Sequence, residues 1–131
     1  MMAAKQYGFR KRERLVSQRL IDDLFGGGHS RSVAAFPLRA VYQLRQRTAY
    51  DAPLQMLVSV PKKHFHHAVD RNRVKRQVRE AYRKHKEPVV EKIQEGKQLL
   101  IAFVWLSDAH FPSAEIEKRV KSLIAQIAKK I

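Results

Sequence analysis

The residues best suited to chemistry are the cations of a segment that spans residues 62–86. Ten of its members are Lys or Arg, whereas only Asp70 and Glu80 are acidic. Like charges recur at helical i,i+4 spacing, as in Lys75 and Arg79, and each such pair costs about 0.2–0.5 kcal/mol in an isolated helix. A polyanion would convert that cost into binding free energy by releasing its condensed counterions. The pattern predicts phosphate binding; the alternative is a solvated basic surface that only maintains solubility.

A helix can position these cations on one face, because neither Gly nor Pro interrupts the segment before Pro88. At about 100° per residue, the apolar side chains fall in one sector and most of the cations in another. Glu80 lies at the edge of the cationic sector. The apolar sector holds Val74, Val78, Ala81 and Tyr82, and the cationic sector holds Asn72, Lys75, Arg76, Arg79, Arg83 and Lys86. We therefore expect a helix that packs on one side and offers cations on the other.

Length and composition limit the classes of protein that fit. The 131 residues, 44% of them hydrophobic, are enough for one domain spanning 1–131, of which residues 1–6 are expected to be flexible. The net charge of +15 favours a nucleic acid as the partner, with an acidic membrane surface as the second choice. The absence of cysteine excludes disulfides and thiolate metal sites. No apolar run approaches the roughly 18 residues of a membrane span, so we expect an intracellular, soluble protein.

Three histidines cluster at His64, His66 and His67. His64 and His67 could share a helix face, but zinc requires four ligands and no carboxylate stands nearby at a recognisable metal spacing. No metal site is predicted, and the histidines are expected to be titratable cations near phosphate.

Two groups of residues could in principle carry hydrolytic chemistry. Asp22 and Asp23 are adjacent, so their side chains diverge on a helix and form no acid–base pair. Ser107, Asp108 and His110 are close in sequence but lack the flanking signature of a nucleophile elbow. The sequence therefore predicts no catalytic residue.

The elements that must position the cations follow from the hydrophobic pattern. Ser17 can cap a short helix that the glycines at 26–28 end. Alternation over 36–44 predicts a strand with Tyr42 on one face and Arg39 on the other, and Pro37 places its start at a sheet edge or bulge. Further strands are expected at 54–60 and 99–106, with a short one near 31–34, and a last helix from Ser113. Helices inserted between strands imply an α/β sandwich with a mixed sheet.

One string within the basic segment resembles a known family. Val60 begins Val-Pro-Lys-Lys, and Ala68 begins Ala-Val-Asp-Arg-Asn-Arg-Val-Lys-Arg, with Arg79 and Glu80 after it. This pattern resembles that of the bacterial ribonuclease P protein component. The resemblance extends to the N-terminal basic segment, the first helix, the strand with Tyr42 and the closing helix, and so covers nearly the whole chain.

The resemblance implies a fold and a function. The fold is an α+β, two-layer sandwich with a four-stranded mixed sheet and a left-handed β-α-β crossover that contains the basic helix (ribosomal protein S5 domain 2-like). The function is that of the protein subunit of an endoribonuclease that removes the 5′ leader of precursor tRNA. The implied partners are the catalytic RNA, bound 1:1 by a monomeric protein, and precursor tRNA. The catalytic centre and its Mg²⁺ are expected on the RNA, and the enzyme is expected to be cytoplasmic.

Residue roles carry over from the family in two groups, with two departures from its pattern. Asp70 stands where the family often has a basic or polar residue, and it can favour the first turn of the helix. Ile21 occupies a position that is often aromatic and cannot stack on a base. The implied contacts with the catalytic RNA are Lys62, Lys63, Arg71, Asn72, Arg73, Lys75, Arg76, Arg79 and Arg83, and the implied leader cleft holds Phe9, Arg10, Lys11, Arg12, Ile21, Phe25 and Tyr42.

Two other classes of protein share some of these features. A structural RNA-binding protein of the ribosomal kind would have the same charge and a similar fold, but no effect on 5′ cleavage. A DNA-binding basic helix would enter the major groove of a duplex, yet no dimerisation heptads accompany this helix.

Overall fold

One mixed sheet and four helices organise the chain, and the structure, a computed structural model, describes residues 11–47 and 52–131. The strands are β1 (Arg31–Ala35), β2 (Leu38–Gln46), β3 (Leu54–Ser59) and β4 (Lys97–Trp105). The helices are α1 (Gln18–Gly26), α2 (Ala68–His85), α3 (Glu87–Lys92) and α4 (Ser113–Lys130), and a 3-10 turn precedes them at Lys11–Glu13. Within these ranges, no helix combines the length and the apolar character that crossing a bilayer requires.

The sheet has the strand order β1-β2-β4-β3. β2 pairs antiparallel with both β1 and β4, whereas β3 and β4 are parallel. A parallel pair needs a crossover connection, and α2 and α3 lie in it. The predicted α+β fold with a four-stranded mixed sheet is confirmed, including the position of the basic helix between the parallel strands.

Both faces of the sheet are covered by helices. The larger hydrophobic cluster joins one face to α2 and α4, where Val78, Tyr82, Ile116 and Ile124 are at most 1% exposed. A smaller cluster on the other face joins Leu15 and the α1 residue Leu24 to Val41, Leu100 and Ala102. β4 is therefore buried on both faces, as its continuous apolar run predicts.

The start of β2 differs from the prediction made from Pro37. β2 lies between β1 and β4 rather than at a sheet edge. Pro37 instead occupies the turn before β2, outside the strand ladder, so its missing N–H removes no ladder hydrogen bond. Its carbonyl accepts a hydrogen bond from the N–H of Leu106 at 2.8 Å.

Candidate nucleic-acid interface

Helix α2 forms because its apolar residues recur at helical spacing and find a buried partner in the sheet. Val74, Val78, Ala81 and Tyr82 are at most 3% exposed, which confirms the predicted packed side. Charges at both ends suit the helix dipole, with an acidic residue in the first turn and Arg83, Lys84 and His85 in the last. The helix is thereby fixed on one face and open on the other.

The open face of α2 carries the predicted cations. Asn72, Arg73 and Arg76 are exposed, and Lys75 and Arg79 are half-buried. Among the residues that the structure describes, no ion pair joins Arg73, Lys75 or Arg76 to a carboxylate. Burial, and then the charge of Arg14, lower the pKa of Arg79 from its ordinary value. These guanidinium and ammonium groups form a concentrated positive surface.

Glu80 neutralises one end of this surface. Its carboxylate lies 2.5 Å from the guanidinium of Arg83 and 4.0 Å from the ammonium of Lys84. The hydrogen bond from Arg83 is the main cause of the lowered pKa of Glu80, and the same bond raises the pKa of Arg83. Arg83 therefore offers a phosphate less uncompensated charge than Arg73 or Arg76 does.

The prediction that Lys86 belongs to the cationic face is wrong. Its side chain is 4% exposed, and its Nζ lies 2.6 Å from Glu13 Oε1 and 5.8 Å from the centre of the Tyr82 ring. The helix ends at His85, one residue before Lys86, and the N-terminal turn brings Glu13 against that end. Lys86 thus points into the protein rather than toward a partner.

Arg71 shapes the connection that precedes the helix. Its Nη1 donates hydrogen bonds to the carbonyls of Phe65 at 2.9 Å and His66 at 2.8 Å. The exposed side chains of Lys62 and Lys63 lie at the start of this connection, in a turn closed by the His64 N–H and the Pro61 carbonyl at 3.0 Å. Arg71 therefore fixes the connection that carries two further cations beside α2.

His64 and His67 do not share a helix face, although the sequence allowed it. His64 lies in the turn, where Nδ1 is 2.6 Å from Asp108, and His67 is the N-terminal cap residue of α2. In residues 11–47 and 52–131, no three His, Cys, Asp or Glu residues are grouped as metal ligands. The His64–Asp108 pair instead connects the turn to the loop after β4.

Asp70 is placed as the dipole argument predicts, in the first turn of α2. It also accepts a hydrogen bond from His110 Nε2 at 3.0 Å. The His110 ring stacks on Phe65 with the centroids 4.4 Å apart. Asp70 therefore anchors the start of the basic helix to the loop between β4 and α4.

A cleft on the opposite face of the sheet is the second candidate surface. A cavity of about 170 Å³ lies between the end of α1 and the strands β1 and β2. Phe25, 49% exposed, contributes an aromatic ring to it, and Arg39 contributes a cation. Gly28 also lines the cavity, and its φ of +78° lies in the left-handed region that favours glycine. The remaining lining residues are Leu24, Ser30, Arg31, Ser32 and Val41.

The predicted place of Tyr42 in a cleft between the first helix and the sheet is wrong. Tyr42 is 3% exposed and belongs to the cluster under α2 and α4, on the other face from α1. Alternation along β2 requires this, because Val41 packs under α1 and its neighbour must point away. Arg39 lies on the same face of β2 as Val41. The strand alternation therefore indicates Arg39 as a cleft residue, whereas the family resemblance indicated Tyr42.

The other predicted cleft residues do not lie together at one place in the structure. Ile21 is half-buried against the cluster under α1 and supports the helix from below. Lys11 and Arg12 lie at the edge of β3, where the Gln55 amide donates to the Arg12 carbonyl at 2.9 Å, whereas Phe25 lies toward β1. Phe9 and Arg10 lie outside the described residues.

The fold and the site together define a class, the small basic α+β proteins with a cationic helix on one sheet face and an open cleft on the other. The model of the Ribonuclease P family matches residues 9–128. The chain is 40% identical over 131 residues to the ribonuclease P protein component of Porphyromonas gingivalis, covering 98% of this chain and 92% of the relative. The chain therefore belongs to the ribonuclease P protein family.

Solved structures agree with this fold. The RNase P protein of Staphylococcus aureus superposes with a TM-score of 0.66 at 20% identity, over 89% of this chain and 95% of the other. The RNase P protein of Thermotoga maritima superposes with a TM-score of 0.57 at 22% identity, over 91% of this chain and 97% of the other. At these identities the likeness concerns the arrangement of helices and strands.

Proposed function

We propose that this chain is the protein subunit of a ribonuclease P and binds its catalytic RNA through the open face of α2. The observation that carries the proposal is the two-sided character of this helix. Its apolar side is buried against the sheet, and on its other side Arg73, Lys75 and Arg76 have no carboxylate partner in the described part of the chain. Uncompensated cations on a rigid element are suited to crowded RNA phosphates.

The contacts on this face are electrostatic and directional. Each guanidinium can donate two parallel hydrogen bonds to one phosphate, which an ammonium cannot do. Asn72 adds an amide that can donate to phosphate or to a base edge. Lys62 and Lys63 extend the face beyond the start of the helix, on the connection that Arg71 fixes.

The cleft between α1 and the sheet is proposed to hold the single-stranded 5′ leader of precursor tRNA. An exposed aromatic ring beside a cation suits such a strand, because a base stacks on the ring while the cation binds the backbone. Phe25 and Arg39 provide this pair. Mature tRNA has no leader, so this contact would favour the precursor.

The division of labour follows from this assignment. The catalytic RNA would hold the Mg²⁺ ions and cut the phosphodiester bond, and the protein would contribute binding and orientation in a cytoplasmic 1:1 complex. Cations of the protein that neutralise phosphates where the leader meets the tRNA reduce the repulsion between the RNA backbones, which dissolved cations must otherwise screen. The protein should therefore matter most when Mg²⁺ is scarce.

Reconstitution tests the proposal. The protein is mixed with a cognate ribonuclease P RNA and precursor tRNA labelled at its 5′ end, at low Mg²⁺ concentration. We expect the protein to stimulate release of the leader. Binding of the RNA without any stimulation would instead identify a structural RNA-binding protein.

A further inference from the structure

A buried ion pair joins the N-terminal turn to the end of the basic helix. Glu13 Oε1 lies 2.6 Å from Lys86 Nζ, and the side chains are only 19% and 4% exposed. Removing two charges from water is costly, and breaking such a pair on one side leaves the other charge uncompensated. The pair is therefore a firm connection between two segments that are far apart in sequence.

The residues after Glu13 are fixed along the free edge of β3. The Leu15 N–H donates to the Met56 carbonyl at 2.9 Å, and Arg14 forms a parallel bridge with Met56. Leu15 is 4% exposed and packs in the cluster under α1. The segment at 11–15 thus crosses the sheet edge from the α2 side to the α1 side.

This segment carries three exposed cations around its single carboxylate, namely Lys11, Arg12 and Arg14. The Glu13–Lys86 contact places this segment beside the end of α2, and the charge of Arg14 contributes to the lowered pKa of Arg79 on that helix. Bringing like charges together costs free energy. The Glu13–Lys86 pair is an attraction that can offset this repulsion.

We infer that Glu13 is a positioning residue for RNA binding, because its buried pair with Lys86 holds the cations of the 11–14 segment beside α2 as an extension of the phosphate-binding face. This inference rests on the proposed function. It also goes beyond it, since it gives an acidic residue a favourable part in binding a polyanion.

The sign of the effect makes the inference testable. Glu13→Gln raises the net charge of the protein by one, so simple charge counting predicts tighter RNA binding and a steeper salt dependence. If Glu13 positions the segment, the same change weakens binding several-fold at low salt. The slope of log K against log salt then becomes shallower by about 1 for each cation that leaves its phosphate.

The measurement is the affinity of the protein for ribonuclease P RNA across a series of salt concentrations. Glu91→Gln is the matched control, because Glu91 is exposed on α3 and its substitution removes the same charge. The control should bind as the wild type does or slightly tighter. Glu13→Asp keeps the charge but shortens the side chain, and it should change binding in the same direction as Glu13→Gln by a smaller amount.

Hydrogen exchange supplies a readout without RNA. Glu13→Gln should accelerate exchange of the Leu15 amide, whose hydrogen bond to Met56 fixes the segment, while amides within β4 keep their protection. If Glu13→Gln fails to fold, the RNA-binding and hydrogen-exchange measurements are both made on Glu13→Asp.

The outcomes separate the inference from the proposed function. Wild-type protein that does not bind the RNA would refute the proposed function, and the inference with it. Wild-type binding, together with a Glu13→Gln variant that binds equally or more tightly, would refute the inference alone. Weaker binding with an unchanged salt slope would also refute it, because that result reflects a smaller folded fraction rather than lost phosphate contacts.

Discussion

Phe25 and Tyr42 show how exposure decides whether an aromatic residue can bind a nucleic acid. The Phe25 side chain is 49% exposed at the mouth of a cleft, whereas Tyr42 is 3% exposed inside the larger hydrophobic cluster. A base can stack only on a ring that solvent can reach. Phe25 is therefore the aromatic ring that is available in the cleft, and Tyr42 belongs to the core.

Replacing Phe25 should selectively weaken the binding of precursor tRNA. Phe25→Ala is expected to reduce the affinity for leader-containing tRNA by about 1–3 kcal/mol, the range for loss of one base stack. The affinity for mature tRNA should remain unchanged. Equilibrium binding of both tRNAs to the assembled enzyme measures the difference.

Phe36→Ala is the matched control for this experiment. Phe36 is also an exposed ring, at 61%, but it contacts Phe111 and does not line the cleft. Phe36→Ala should leave the preference for precursor tRNA intact. Equal losses for precursor and mature tRNA in Phe25→Ala would exclude a leader-specific contact.

At this scale the sequence predicted the cations better than the cleft. Asn72 and Arg76 are exposed, as the helical wheel predicts once the apolar side is buried, and Arg73, which only the family resemblance assigned, is exposed as well. The strand alternation shows that Arg39 and Val41 share a face of β2, but the sequence does not show that α1 covers this face. The place of Arg39 in the cleft therefore depends on tertiary packing. Lys86 was misassigned because its partner, Glu13, lies 73 residues earlier in the chain.

At the scale of elements, α2 and the connection before it behave as one unit. The Arg71 side chain hydrogen-bonds two carbonyls of the connection, and Asp70 binds His110 on the loop after β4. Helical pattern alone allowed the helix to extend through most of 62–86, but it begins at Ala68. The contacts of Phe65 and Arg71 hold residues 62–67 outside the helix. These contacts cannot be predicted from the local sequence pattern.

Arg71 and Arg73 should therefore separate stability from binding. Arg71→Ala is expected to lower the free energy of unfolding by about 1–2 kcal/mol, somewhat less than a fully buried charged hydrogen bond contributes, because water partly replaces it. Arg73→Ala should change stability by no more than about 0.5 kcal/mol, as for exposed sites in general, while weakening RNA binding. Urea unfolding of both variants measures the difference, and equal stability losses would contradict these roles.

The remaining elements follow closely from the sequence. The last helix, predicted from Ser113, is present as α4 and packs an apolar stripe against the sheet, with Ile116, Val120 and Leu123 fully buried. β4 is buried on both faces, as its unbroken apolar run predicts. Long segments with a regular period specify their own packing, whereas turns and cleft walls depend on partners distant in sequence.

At the scale of the whole molecule, the sheet separates two surfaces. α2 presents cations on one face, and α1 borders the cleft on the other. The segment at 11–15 runs along the β3 edge between them. A net charge of +15 on 131 residues provides long-range attraction to RNA from every direction, so only the position of each charge can distinguish a specific interface from general attraction.

The salt dependence of RNA binding tests this distinction most directly. Affinities for ribonuclease P RNA are measured across a salt series for the wild type, for Arg73→Ala with Arg76→Ala, and for Lys129→Ala with Lys130→Ala. The last pair removes the same charge from exposed positions at the end of α4. We expect the arginine variant to have a slope shallower by about 1 per lost phosphate contact, and the lysine variant to keep the wild-type slope. Identical slopes for the two double variants would contradict the assignment of RNA binding to the α2 face.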